Sequence, residues 1–416
     1  MNSQDFVEIL KNHRKFLHRD PTGKRANLRL QDLSGLNLKG IVLNSALLTG
    51  AELSRCNLTN ADFSHADLFG ANLSEANLTG ANFFKADLRG ARLRNSDLSR
   101  ANLFSADLRP GGVMDAAVKM KSAGMTAEES ARAREIQKTI SNTILVDAKM
   151  DSAVLEEAEM YACDLSGANL SRANLSGASL RKANLSGSNL TEANLSRVNL
   201  SDANLSAANM RGALLEGTNM MHASLNDAIV PATVDGLPPH VRGVLADHCL
   251  WIVSNGVKGQ RAKMVNTDLR QINLAGWNLS GVDLQGANLS GANLRCCLMI
   301  LTNLRFADLT RADLENSELD GADLSGAILK NTLMKGAKFR AVAVVRKDGS
   351  LSGASRPTNF TEAKFESTDF SGAFFQGAQL SKTNLNGAVV GQARFIDCEM
   401  DDAFREAATA NGAAFH

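Results

Sequence analysis

The sequence predicts an all-β solenoid, because a large apolar residue recurs at every fifth position over most of the 416-residue chain. The residue two places before it is usually Ala, and the two places after it are small, polar or glycine. A step of five fits neither the 3.6-residue period of a helix nor the two-residue period of a long strand. Each pentapeptide is therefore predicted to form one short extended side and one bend, and successive sides wind into a coil.

The repeats fall into four blocks, with central residues running over 28–108, 145–230, 264–339 and 360–400. Within a repeat the central residue and the small residue two places before it point the same way, so both should line the interior. Burying roughly 60 central side chains at about 1.5–3 kcal/mol each gives ample stability. The Asn or Asp that precedes most central residues can repeat up one face and form side-chain ladders.

The pattern Ala-Asn/Asp-Leu-x-Gly resembles the pentapeptide-repeat family, and the match is close from Ala168-Asn169-Leu170 to Ala203-Asn204-Leu205. The resemblance implies a right-handed quadrilateral β-helix with four pentapeptides per coil. About 15 coils would then stack at the usual strand spacing into a rod. A helical N-terminal cap, helical inserts and a β-hairpin-like insert complete the predicted architecture.

A helix that begins near Ser3, a plausible N-cap, is predicted to cover the first coil, whose strand edges would otherwise be open. Its apolar side would carry Phe6, Ile9, Leu10, His13 and Phe16 or Leu17.

A second copy of this cap is predicted in mid-chain. His13 and Phe16 correspond to His248 and Trp251, and Gly23-Lys24-Arg25-Ala26 corresponds to Gly259-Gln260-Arg261-Ala262. The pattern therefore predicts two related modules, roughly 1–230 and 240–416.

The repeats after each predicted cap also agree. Leu36 and Ile41 stand where Ala is usual, as do Ile272 and Trp277. These large residues should widen the first coil and pack under the cap helix.

Each module is interrupted once. Residues 113–142 are helix-like, and Thr126 and Glu129 have the spacing of a capping box. Residues 341–357 are expected to form a hairpin around an Asp348-Gly349 turn. Inserted loops carry function more often than the scaffold that holds them.

The predicted segments follow in chain order. They are a helical cap (1–25), repeats (26–110), a helical insert (111–142), repeats (143–230), a linker and second cap (231–261), repeats (262–340), a hairpin-like insert (341–357), repeats (358–403) and a C-terminal cap or tail (404–416). The C-terminal residues from 401 onward are expected to form a short helix and a loose tail.

Composition excludes several classes of function. The net charge is +1, so no global field selects nucleic acid or an acidic partner. The six cysteines lack metal-ligand spacing, and most should be buried, which favours a reducing compartment. With neither a signal-peptide pattern nor an 18-residue apolar run, we expect a cytoplasmic protein that does not enter a membrane.

No phosphate-binding loop, HExxH or GxSxG motif is present. The seven histidines are scattered, and His13 and His248 recur at matching places, which favours packing over catalysis. We therefore expect no enzyme activity, no cofactor and no metal site. His13, Phe16, His248 and Trp251 are predicted to be structural cap residues.

One outward-facing region is a candidate interaction surface. Phe84 and Phe104 lie 20 residues apart and should stack on one face, with Phe69 on an adjacent face. The same region is basic and is offset by only three carboxylates; its basic residues are Lys85, Arg89, Arg92, Arg94, Arg100 and Arg109, and its acidic ones Asp87, Asp97 and Asp107. These charges form either a solvated mixed surface or a patch for an acidic partner. Exposed aromatic residues mark an interface or are covered by the protein itself. Here either the 113–142 insert covers them or a partner does.

The leading hypothesis is a non-enzymatic, rod-shaped scaffold for protein–protein interaction, with partner and oligomeric state open. The family resemblance adds an alternative, since some members imitate duplex DNA and bind type II topoisomerase. Mimicry needs dense negative charge, yet only 143–230 and 358–403 are acidic, with ten Asp/Glu against six Lys/Arg and seven against three. Direct binding of nucleic acid is disfavoured because no motif and no net positive charge support it.

Overall fold

The computed structural model describes residues 3–112, 127–139, 141–233, 237–254, 256–345, 351–383 and 385–415. The chain divides into two compact units. The first comprises Met1–Met210 and Leu214–Ala228, and the second comprises Arg211–Ala213 and Ile229–His416. Among the described residues, no helix combines the length and apolar character needed to cross a membrane.

The pentapeptide is a short extended side closed by a turn, as residues 72–76 illustrate. The carbonyl of Leu73 accepts the N–H of Ala76 at 3.2 Å. Glu75 has a φ of 61°, which a type II turn requires at its third residue. The Asn72 side chain accepts both the backbone N–H (3.2 Å) and the hydroxyl (2.7 Å) of Ser74. The residue order of the repeat therefore follows from the needs of this turn.

Successive coils are joined by parallel bridges between residues 20 apart, such as Asn57 with Asn77 and Asn77 with Asp97. The Leu73 N–H donates to the carbonyl of Arg92 in the next coil at 2.7 Å. A step of 20 residues is four pentapeptides, so each coil has four sides.

We number the four faces of the first unit by their central residues in the early coils. Face 1 contains Leu28, Leu48, Leu68, Leu88 and Leu108; face 2 contains Leu33, Leu53, Leu73 and Leu93; face 3 contains Leu38, Leu58, Leu78 and Leu98; face 4 contains Leu43, Phe63, Phe83 and Leu103. The first insert does not disturb this order, because Arg92 of face 2 bridges directly to Ile144.

Side-chain ladders run up the faces, as the sequence predicted. The amide of Asn189 donates to the side-chain oxygen of Asn169 at 3.0 Å, and Asn204 donates in the same way to Asn184 at 3.1 Å. The prediction of asparagine ladders is confirmed.

The described residues of the first unit form two helices. Helix α1 spans Ser3–Leu17 and helix α2 spans Ala127–Thr139 within the 111–142 insert. Thr126, proposed as part of a capping box, lies outside the described residues.

The first helix of the second unit is α3 (Pro239–Val253), and the two longest strands of this unit lie within the 341–357 insert. The strands are β1 (Lys338–Arg340), β2 (Val342–Val345), β3 (Leu351–Arg356), β4 (Phe374–Gln376), β5 (Arg394–Ile396) and β6 (Ala414–Phe415). Four of them are parallel and stack in the order β1-β4-β5-β6, and β2 pairs antiparallel with β3 within the insert. The predicted Asp348-Gly349 turn lies outside the described residues.

The C-terminal end is more ordered than expected. Helix α4 spans Asp402–Ala410, and β6 pairs in parallel with β5, with Phe395 opposite Phe415. The expectation of a loose tail is therefore wrong, because the Phe415 ring stacks on Phe395 at 5.2 Å. Further down the core, buried phenylalanine rings pack against one another at Phe339, Phe360, Phe365, Phe370 and Phe375.

The large residues of the first coils behave differently in the two units. Ile272 and Trp277 are buried, as predicted. Leu36, by contrast, is 42% exposed and Ile41 is half-buried. The prediction that both pack under the cap helix is wrong for Leu36, because no described segment covers that part of the first coil.

Candidate interaction surface

The eight residues predicted as one surface lie on three faces and a corner of the first unit. Phe84 and Phe104 are on face 4; Phe69, Arg89 and Arg109 on face 1; Arg92 and Arg94 on face 2; and Arg100 at the corner between faces 3 and 4. The 20-residue register therefore distributes the predicted residues over several faces, and they do not form a single patch.

Phe69 is fully buried and is not an exposed aromatic residue. It belongs to a small apolar cluster with Leu30 of the first coil and with Ala133 and Ile136 of helix α2. The prediction of exposure is wrong at this position because the insert folds over face 1. Of the two alternatives, covering by the insert is what the structure shows for Phe69.

Helix α2 is held to face 1 by polar and steric features as well. The amide of Gln31 donates to the carboxylate of Glu129 at 2.7 Å. Ile136 lines a small cleft together with Gly70 and Gly90, which occupy the same corner, between faces 1 and 2, in successive coils. Because these corner residues lack a side chain, the helix can approach the coil closely.

The arginines of face 1 are paired with carboxylates. Arg89 lies 3.0 Å from Asp87 and 3.5 Å from Asp107, and its guanidinium is 5.4 Å from the Phe69 ring centre. Arg109 lies 2.8 Å from Asp107, whose hydrogen bond raises the pKa of the guanidinium. The basic patch predicted from the sequence is thus neutralised on face 1, whereas Arg94 and Arg100 are exposed elsewhere.

Face 4 carries a stack of aromatic rings. The centres of Phe84 and Phe104 are 5.8 Å apart with the planes 28° from parallel. His65 meets Phe84 edge-on at 5.3 Å, and the Lys85 ammonium lies 5.1 Å from the Phe84 centre. Both phenylalanines are half-buried, since each follows a central residue and its ring lies against the outside of the coil.

Charged side chains border this aromatic stack, which we call the face 4 stripe (His65, Phe84 and Phe104). Exposed Lys85 stands at the corner between faces 4 and 1, and exposed Arg100 at the corner between faces 3 and 4. Glu156 follows Phe104 in the next coil. His65 was not among the predicted surface residues, although its place 20 residues before Lys85 puts it at the same corner.

The two cap histidines make equivalent contacts. The Nδ1 atom of His13 accepts the N–H of Ala26 at 3.1 Å, and that of His248 accepts the N–H of Ala262 at 3.3 Å. Each imidazole ring also stacks on an aromatic residue three positions later, Phe16 at 5.9 Å or Trp251 at 5.7 Å.

These contacts require a neutral ring, because a protonated Nδ1 cannot accept a hydrogen bond. Burial lowers the pKa of His13, and burial together with the nearby Arg261 charge lowers the pKa of His248 to about 4. Both rings are therefore neutral at pH 7 and connect a helix to the start of a coil. Within the described ranges no group of His, Cys, Asp or Glu could hold a metal ion.

A sequence model of one protein family matches most of this scaffold. The model, described as "Pentapeptide repeats (8 copies)", matches residues 37–109, 139–230, 262–299, 302–340 and 358–404, which is more than half of the chain. The chain belongs to the pentapeptide-repeat family. Proteins of this family fold as right-handed quadrilateral β-helices, in agreement with the four-sided coils described above.

Several solved pentapeptide-repeat structures are similar to the chain. HetL, involved in heterocyst differentiation regulation in the cyanobacterium Nostoc sp. strain PCC 7120, is 30% identical over 55% of this chain and 97% of its own, with a TM-score of 0.35. A trypsin-treated variant of QnrB1, a plasmid-mediated fluoroquinolone resistance protein, is 18% identical over 64% and 89%, with a TM-score of 0.34. A thylakoid-lumen pentapeptide-repeat protein of Arabidopsis thaliana is 28% identical over 27% and 87%, with a TM-score of 0.18. No curated protein sequence matches the chain.

Proposed function

We propose that this pentapeptide-repeat protein is a non-enzymatic scaffold that binds a partner protein through the face 4 stripe. The observation that carries the proposal is the outward stack of Phe84 on Phe104, which remains half-exposed while Phe69 on the neighbouring face is covered by α2. The three residues predicted on face 1, Phe69, Arg89 and Arg109, are thus engaged by other groups of the chain, and face 4 keeps its aromatic rings for contact.

The chemistry of the stripe suggests what it binds. Stacked aromatic rings offer a rigid apolar surface whose side chains lose little entropy on binding. Lys85 and Arg100 border the rings on opposite corners, and both are exposed. A partner surface with apolar residues at its centre and acidic residues at its rim would match this arrangement.

The test replaces Phe84 and Phe104 by serine. Serine already occupies the equivalent outward position in the coil above, at Ser64, where its backbone N–H and hydroxyl both bond to Asp62. Serine at 84 can make the same two bonds to the Asn82 side chain, which already accepts the Phe84 N–H. The coil should therefore tolerate the double variant.

Purified wild-type and F84S/F104S chains would be immobilised and used to capture proteins from a lysate of the cells that naturally make this protein. We expect at least one protein to be retained by the wild type and to fall about tenfold or more with the double variant. Phe306→Ser is the matched control, because Phe306 is an exposed phenylalanine in the other unit. If every retained protein binds the double variant and the wild type equally, face 4 is not the interaction surface.

The alternative is mimicry of duplex DNA towards a type II topoisomerase. Mimicry is supported best when negative charges line one surface. In the acidic 143–228 region each acidic residue can be assigned to the face whose central residue it accompanies, and each face receives two or three. The assignments are Glu159 and Asp202 to face 1; Asp147, Asp164 and Asp227 to face 2; Asp151 and Glu192 to face 3; and Glu156, Glu157 and Glu216 to face 4. This spread favours the scaffold over the mimic.

A supercoiling assay separates the two functions. Addition of the chain to gyrase in the presence of a fluoroquinolone should leave inhibition unchanged if the scaffold proposal is correct. Restored supercoiling that decreases with added salt would favour the mimic instead.

We also propose a reducing compartment, such as the cytoplasm, as the place of action. The thiols of Cys56 and Cys297 each donate to a core carbonyl at 3.0 Å, that of Leu33 and that of Leu274. Burial raises the pKa of both thiols, to about 12 for Cys297, so they behave as small core side chains rather than reactive groups.

A further inference from the structure

The first coils of the two units present equivalent residues, yet only one of them is covered. Leu36 corresponds to Ile272 and Val42 to Asn278, at the same sequence offset. Leu36 is 42% exposed against 7% for Ile272, and Val42 is 50% exposed against 4% for Asn278. The difference points to a missing cover on the first unit.

In the second unit residues 229–232 cover Ala275, Gly276 and Trp277. Asn278 is covered by Gly212 instead, whose N–H donates to the Gly276 carbonyl at 2.6 Å. The N–H of Ala232 donates to the carbonyl of Ala275 at 2.8 Å, and the Trp277 indole donates to the carbonyl of Ala232 at 2.8 Å. A Cβ added to Gly276 would lie 2.9 Å from the Cα of Pro231, so the corner glycine lets the segment approach the coil.

Among the described residues, nothing covers the equivalent corner of the first unit. Lys39, Gly40 and Ile41 correspond to Ala275, Gly276 and Trp277. A Cβ added to Gly40 would meet nothing within 4 Å. In the part of the chain that the structure describes, no donor reaches the Lys39 carbonyl. The first unit therefore has the same glycine, backbone carbonyl and apolar neighbours at this corner as the second unit. Within the described residues, it lacks the segment that covers them.

Charge near this corner differs from that in the second unit. Lys39 stands where the second unit has Ala275, and residues 3–45 hold eight Lys/Arg against four Asp/Glu. An occupant with an acidic residue beside its apolar part would complement this surface. The chain's own covering segment has this composition, since Asp227 precedes Ile229-Val230-Pro231-Ala232.

We infer that the Lys39–Ile41 corner is a docking site for an extended segment of a partner protein, with a hydrophobic-Pro-small sequence and an acidic residue beside it. The segment's small residue donates its backbone N–H to the Lys39 carbonyl, and its proline lies over Gly40 beside Leu36 and Ile41. This is edge recognition of an extended peptide, in which main-chain bonds give affinity and side-chain contacts give specificity. The site is separate from the face 4 stripe and does not depend on it.

The test uses a fluorescein-labelled peptide of residues 227–233 (Asp-Ala-Ile-Val-Pro-Ala-Thr) and the full chain, with binding measured by fluorescence anisotropy. We expect saturable binding with a Kd below about 1 mM. Gly40→Asn should weaken it about tenfold or more, because the added side chain occupies the path of the proline. Gly35→Asn is the matched control and should leave it unchanged.

The two asparagine variants are comparable because both glycines have a left-handed φ, 68° at Gly40 and 70° at Gly35, with open space around an added Cβ. Asparagine tolerates this conformation better than most residues. Ile41→Trp should tighten peptide binding about fivefold, since its indole can donate to the peptide as Trp277 donates to Ala232.

Three results would overturn the inference. The first is no saturable binding of the peptide to the wild-type chain, and the second is equal weakening by Gly40→Asn and Gly35→Asn. The third is self-association of the wild-type chain in sedimentation equilibrium that Gly40→Asn abolishes, because a second copy would then be the occupant. The F84S/F104S double variant should bind the peptide normally, so the outcome is independent of the face 4 stripe.

Discussion

Each unit has a cap helix with a histidine that binds the start of the coil, and the two helices are buried to different extents. In both, a histidine on a helix accepts the first N–H of the coil and stacks on an aromatic ring. Val241 and Leu245 of α3 are buried, whereas the equivalent Phe6 and Leu10 of α1 are half-buried. The histidine contact therefore attaches the helix, while the burial of the helix depends on the segments that pack around it.

The second unit has such a segment, and the first does not within the described residues. Leu237 is buried just before α3, and the N–H of Ala232 donates to Ala275 of the first coil. In the first unit Phe16 of α1 is 38% exposed, and Leu36 of the first coil is 42% exposed. The start of the coil is therefore less covered in the first unit than in the second.

The largest expected difference in the free energy of unfolding concerns the apolar side chains of α3 and α1 that face the coil. Leu245→Ala should lower the free energy of unfolding by about 3–5 kcal/mol, because it leaves a cavity at a fully buried site. Leu10→Ala should cost only about 1 kcal/mol, since Leu10 is half-buried and its site is already solvated. Hydrogen exchange of the α3 and α1 amides in each variant measures the two losses separately. Equal losses would mean that the two helices are covered alike.

Acidification should affect the second unit more than the first. Because the folded pKa of His248 is lowered to about 4, the unfolded chain binds more protons below pH 6.5. The contribution of neutral His248 to the free energy of unfolding is complete above pH 6.5 and decreases as the pH falls. Below about pH 4 it decreases no further. At pH 4.5 the loss should be about 2–3 kcal/mol at the α3 junction.

NMR titration of the two imidazole rings checks this expectation, together with exchange of the Ala262 amide. The His13 ring should also titrate below 6.5, as burial lowers its pKa. His248→Gln removes the titrating group, so its α3 junction should lose little stability over the same pH range. An imidazole of His248 that titrates near 6.5 would contradict the proposed burial.

The smallest contrast concerns the covering segment. Trp277→Phe removes the indole donor to the Ala232 carbonyl and should weaken the docking of residues 229–232 by about 1–2 kcal/mol. Faster exchange of the Ala232 amide, which donates to Ala275, would report the effect. Trp251→Phe is the control, because that ring stacks on His248 and should leave the Ala232 amide unchanged.

Much of the architecture could be predicted because each repeat forms its own turn from residues that are neighbours in the sequence. The Asn72–Ala76 turn uses only neighbouring residues, so each pentapeptide specifies its own bend. Once the coil has four sides, the spacing of 20 residues places Phe84 beside Phe104 without further information. The stacking of Phe84 on Phe104 was predictable for this reason.

Features that depend on contacts between distant elements could not be predicted. Phe69 is buried because α2 lies on face 1, and the repeat pattern does not say which face an insert covers. The pairing of Arg89 with Asp107 depends on adjacent coils whose side chains meet on the same face. Leu36 looked like its counterpart Ile272, but its exposure depends on a segment that has no equivalent before the first coil.

The hydrogen bond that closes the first insert has a consequence for how such proteins can change. The N–H of Gly111 donates to the carbonyl of Ser141 at 3.0 Å, so the insert leaves and re-enters the coil at nearly one point. Since Arg92 still bridges Ile144, the stacking order on either side is unaffected. A corner of this kind accepts insertions of different length and structure, because the coils on either side continue to stack in the same order.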